Sequence, residues 1–116
     1  MLWSKNTYNS VLIPYVLYET DGAVKTNIVT ATVRVYQIQS YVENEILAET
    51  PMTGVGELWV YNWVPSSALD VGTYIVASVF TDSLAVVRKI YDILYVTEDS
   101  YILVNGTPFD PGGAIP

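Results

Sequence analysis

The sequence predicts an all-β sandwich. Turn residues punctuate the chain about every ten positions, the runs between them are rich in Val, Ile, Thr and Tyr, and several runs alternate with period two. No stretch holds a helical period long enough to carry a helix. At 116 residues the chain can bury a real core without metals or disulfides. About seven antiparallel strands are expected within residues 1–97, followed by an extended C-terminal arm over 98–116.

The first run, Ser10 to Tyr18, contains Pro14. Proline has no N–H to give to a ladder, so this run belongs at a sheet edge or breaks at the proline. Asp21-Gly22 then marks a turn. Asn27 to Gln39 alternates most clearly, with Val29, Ala31, Val33 and Val35 on one face and Thr30, Thr32, Arg34 and Tyr36 on the other. That is a half-buried antiparallel strand. Residues 41–49 fit a strand or one or two helical turns, and Glu43, Glu45 and Glu49 weaken the strand reading. "TPMTGVGE" reads as a loop.

Leu58 to Val64 is a strand with bulky residues on both faces, stopped by Pro65. Thr73 to Thr81 is apolar on both faces and is expected at the centre of a sheet. A short polar loop joins it to Val86–Val96, so these two runs should form a hairpin. Three prolines and three glycines in residues 106–116 argue against regular structure there. An apolar arm of that kind is expected to lie on a neighbouring subunit, with Tyr101, Leu103, Phe109 and Ile115 as its contacts.

Composition narrows the function. Half the chain is hydrophobic (51%) and its mean hydropathy is +0.30. A small chain this apolar is expected to cover part of its surface with a partner. Ten tyrosines suit both strands and interfaces. Twelve acids against five bases give a net charge of −7, which argues against nucleic acid as a partner. Arg88-Lys89 is the one adjacent basic pair and reads as a solvated strand edge. The N-terminus makes a poor secretion signal, and no run approaches the ~20 apolar residues of a membrane helix.

Catalysis has little to work with. Without His or Cys, the commonest general base, the thiol nucleophile and the usual zinc ligands are missing. Carboxylate pairs could serve glycoside hydrolysis, and Glu43/Glu45/Glu49 and Asp70/Asp82 are the candidates, but solvated faces explain them more simply. "GVGE" lacks the lysine and helix of a phosphate loop. No Asp-x-Asp spacing points to calcium. Asn105-Gly106-Thr107 is a glycosylation triplet that reads as chance. No catalytic, cofactor or metal residue is therefore assigned.

Trp59, Tyr61 and Trp63 share one face of their strand. Three uses fit such a face: sheet core, a protein interface, or a platform for stacking sugars. Leu58, Val60 and Val64 make the opposite face apolar as well.

"DVGTYIV", residues 70–76, has a local physical reading. Gly72 allows a tight entry into a strand. Tyr74 can then fold its ring over the core and return its hydroxyl to backbone just upstream, while Asp70 serves the same turn. Asp70, Gly72, Tyr74 and Val76 resemble the tyrosine corner of immunoglobulin-like domains. The longer segment "GELWVYNWVPSSALDVGTYIVASVF", Gly56 to Phe80, resembles the second half of small immunoglobulin-like modules in bacteriophage virion proteins. It is similar to the pattern at the N-termini of phage baseplate upper proteins, and bacterial surface and macroglobulin-type domains share a looser version.

The resemblance implies an immunoglobulin-like antiparallel β-sandwich in which Val76 replaces the usual disulfide half and packs as core. It also implies a non-enzymatic structural protein of the virion, such as a neck, head-decoration or tail component, in an oligomer or assembly with other virion proteins. It supplies no catalytic residue. The second expectation is a glycan-binding or adhesive module using Trp59, Tyr61 and Trp63.

Overall fold

The computed structural model describes residues 1–98 and, as backbone only, 102–104 and 107–109. Tyr101 and Ile115 lie outside the described residues, as do the side chains of Leu103 and Phe109. The strands are β1 (Leu2–Ser4), β2 (Val11–Tyr15), β3 (Ile28–Gln39), β4 (Val42–Pro51), β5 (Thr53–Val55), β6 (Leu58–Trp63), β7 (Gly72–Asp82), β8 (Val87–Thr97), β9 (Ile102–Val104) and β10 (Thr107–Phe109). Among the described residues there is no helix.

Two sheets make the sandwich. One has the order β1-β8-β7-β3-β4 and the other β2-β6-β5, while β9 and β10 pair antiparallel by themselves. Every pairing within the two main sheets is antiparallel except β1 with β8, which is parallel. As its two apolar faces require, β7 lies between β8 and β3. Pro14 sits on β2, an edge strand, where its missing N–H leaves no gap in an inner ladder.

The core lies between the sheets. Val33, Val35, Val76, Phe80 and Leu94 from the larger sheet meet Ile13 from the smaller, all fully buried. Burying a side chain of that size contributes roughly 1.5–3 kcal/mol, so these few residues supply much of the drive for folding. Tyr15 of β2 meets Phe80 edge to face, with ring centroids 6.2 Å apart, which locks one sheet over the other.

One reading left open is settled as strand, and three local readings need correction. Residues 42–51 form β4 throughout, because a two-residue turn at Ser40-Tyr41 (φ 52° and 64°) sends the chain straight back along β3. The loop expected over "TPMTGVGE" is a change of sheet. Met52 is buried, its N–H donates to the Ala31 carbonyl, and the chain resumes as β5 in the other sheet. Val29 is 58% exposed because the β3–β7 register shifts between Ile28 and Thr30, turning it off the core face. Beyond residue 98, the pairing of Thr107–Phe109 with Ile102–Val104 is regular structure where prolines and glycines argued against it.

Candidate functional site on the two outward sheet faces

The residues of the expected corner cluster at the start of β7. The Tyr74 hydroxyl donates to the Asp70 carbonyl at 2.6 Å, and the ring is buried. Val76, two residues on, is fully buried. Gly72 lies so close to the Gln37 side-chain amide that a Cβ would meet its Nε2 at 3.2 Å. Burial, and then the Asp70 charge, raise the Tyr74 pKa above its ordinary value. This corner positions β7 and offers no surface to a ligand.

Trp59, Tyr61 and Trp63 turn inward. Trp63 is buried in the core cluster, and Trp59 and Tyr61 pack against it. The register explains this, since they pair with Tyr15, Ile13 and Val11, the core-facing residues of β2. Trp59 also covers Gly54, where an added Cβ would lie 3.1 Å from its ring. Of the three uses open to this face, the packing fits sheet core, and the exposed interface and the sugar platform are the expectations corrected.

That orientation leaves the other side of β6 outward. Leu58, Val60 and Asn62 share this face with Leu12 and Pro14 of β2 and Thr53 and Val55 of β5. None of these outward residues carries a charge. Leu12 and Val55 are 53% and 61% exposed, and Val64, just past β6, is 67% exposed. A whole sheet face without charge, on a chain carrying −7, is the kind of patch that marks a protein contact.

The outward face of the larger sheet has a different chemistry. Arg34 of β3 lies over the Tyr36 ring at 4.3 Å, donates to Glu43, and pairs with Glu45 at 3.2 Å. The Thr32 hydroxyl donates to Glu49 at 3.0 Å. Between these groups and Lys89 and Tyr91 of β8 runs a groove of about 150 Å³, floored by Ala77 and Val79. All three glutamates of β4 thus have structural partners. Asp70 and Asp82 flank opposite ends of β7, an 11-residue strand roughly 35 Å long, so they do not form a pair.

Inside lies an ion pair, Lys25 with Asp82, that sequence reasoning did not bring together. Lys25 is buried, with its ammonium 3.3 Å from both Asp82 and Glu19. The Asp82 carboxylate also accepts from the Leu84 and Val86 N–H groups, each at 2.9 Å, and so shapes the β7–β8 turn. The Val86 bond foremost, with those of Leu84 and Lys25, outweighs burial and holds the Asp82 pKa below its ordinary value. Among the described residues, no group of three or more acidic side chains is placed to hold a metal ion.

No protein-family model matches this chain, and no curated protein or solved structure matches it either.

Proposed function

We propose that this chain is a non-enzymatic assembly module whose outward three-stranded face docks on neighbouring structural proteins. The observation that carries this reading is the uncharged face built by Leu12, Val55, Leu58 and Val60 in an otherwise acidic chain. Such a face gains free energy by leaving water, and nothing on it imposes a charge penalty for doing so. The resemblance of Gly56–Phe80 to phage virion modules makes a bacteriophage particle the setting: a neck, head-decoration or tail position with an immunoglobulin-like fold. The strand order, the parallel β1–β8 pairing and the Tyr74–Asp70 bond support that fold assignment.

A photo-crosslinking amino acid at position 12 tests the reading in cells producing particles. The expected product joins this chain to a structural subunit in the particle fraction, and Leu12→Glu or Val60→Glu depletes the chain from that fraction. Normal incorporation of both charged variants would sink it.

A further inference from the structure

We propose that the outward face of the five-stranded sheet pairs with the same face of a second copy, in a two-fold dimer setting Lys89 of each copy against Glu49 of the other. This deepens the assembly reading above and rests on it, but it uses the opposite side of the sandwich.

The first observation is exposed apolar surface in a continuous row. Along β8 the outward positions are Val87, Lys89, Tyr91, Ile93 and Tyr95, and the four apolar ones are between 40% and 63% exposed. On β7 beside them, Ile75, Ala77 and Val79 face the same way. Large side chains exposed side by side on one strand form a patch, unlike scattered single ones.

The second observation is the segregation of charge across that face. Lys89 stands on β8, at one flank, while Glu43, Glu45 and Glu49 stand on β4, at the other. Arg34 between them is already engaged by Glu43 and Glu45, and Glu49 has the Thr32 hydroxyl. A face with a cation at one flank and carboxylates at the other is complementary to itself only in one orientation.

The geometry selects that orientation. A two-fold axis running across the strands would lay β4 on β4 and bring three glutamates of each copy together, a like-charge clash. An axis parallel to the strands and passing over β7 lays β8 of one copy on β3 of the other. The register places Lys89, Val79 and Thr32 in one row, Tyr91, Ala77 and Arg34 in the next, and Ile93, Ile75 and Tyr36 in a third. Reversed by this axis, Lys89 comes over Thr32 and its neighbour Glu49, Tyr91 over the Arg34 guanidinium, and Ile93 over Tyr36.

Sedimentation equilibrium of the full chain tests this, using wild type, K89E, E49K, the double variant K89E/E49K, and V60E on the other face. Thermal unfolding of each confirms that it is folded. Wild type should be a concentration-dependent dimer, and each single charge reversal should weaken it about tenfold or more. The double reversal should restore most of the loss, and V60E should leave dimerisation unchanged. A wild-type monomer at every concentration, or a dimer indifferent to K89E, overturns the pairing. Should V60E abolish self-association while K89E does not, this dimer falls and the assembly reading of the uncharged face stands.

Discussion

The Tyr15 hydroxyl on β2 donates to the Asp92 carboxylate on β8 at 3.1 Å, so a polar bond joins the two sheets across the edge of the core. Asp92 faces inward there because it alternates with Leu94 and Val96. Tyr15→Phe removes this donor and leaves the half-buried carboxylate with the Ile93 N–H at 2.8 Å, so unfolding in urea should report a loss of about 1.5–3 kcal/mol, the range for a bond to a charged group.

The same pair gives a response to base. Burial, followed by the Asp92 charge, raises the Tyr15 pKa above its ordinary 10.0. A folded-state pKa above the unfolded one means that the stabilisation is complete below pH 10 and fades as pH rises beyond it. Stability followed by circular dichroism should fall above that pH, and Tyr15→Phe should show a smaller fall. An equal fall in the variant would assign the effect elsewhere.

Asp82 predicts the acid limb. Its folded pKa lies below the ordinary 3.8, so its contribution is present above that value and is lost as pH falls through and below it. Urea midpoints measured over the acid range should decline there, and Asp82→Asn should flatten the decline. The Lys25 ammonium, left without Asp82 in its buried site, should make the variant less stable at neutral pH.

Gly54 and Trp59 form a close pair across β5 and β6. An alanine at 54 puts its Cβ 3.1 Å from the indole, so the ring must move. Gly54→Ala should cost about 1–2 kcal/mol and shift tryptophan emission to the red as Trp59 gains water. Unchanged emission and stability would contradict the packing described.

At the β3–β4 turn, Ser40 and Tyr41 both hold positive φ, a backbone region that favours glycine and asparagine. Tyr41 is fully exposed and gains nothing from its side chain in return. Replacing the two with Asn-Gly should raise stability by about 1 kcal/mol, read as a higher melting temperature.

Much of the fold was legible where one residue type decided the matter. Alternation in β3 marked Ala31, Val33 and Val35, and Pro14 marked an edge. What escaped depended on distant partners. The glutamates of β4 look helical or solvated until Arg34 and Thr32 lie beside them on the next strand. The face chosen by Trp59, Tyr61 and Trp63 could not be read from β6 itself, because both of its faces are apolar. It was decided by the register with β2 and by Gly54, which alone leaves room for an indole. Lys25 reads as a loop cation until Asp82, far along the chain, is brought to it. The β9–β10 pair has a sequence signal, Asn105-Gly106 between short apolar runs, which the proline and glycine content of residues 106–116 outweighs in a local reading.

The parallel pairing of β1 with β8 also fixes how the sandwich would respond to being pulled. Leu2, Trp3 and Ser4 run beside Tyr95, Val96 and Thr97 in the same direction, with Tyr95 N–H bound to the Met1 carbonyl and Lys5 N–H to that of Thr97, both at 2.9 Å. Tension applied between the chain entering β1 and the chain leaving β8 acts along the strands, across every one of these bonds at once. They load in shear and must fail together, where an antiparallel hairpin pulled from its open end would unzip bond by bond. A sandwich pulled between these two points would therefore yield abruptly at high load, with Trp3 in the core as the latch.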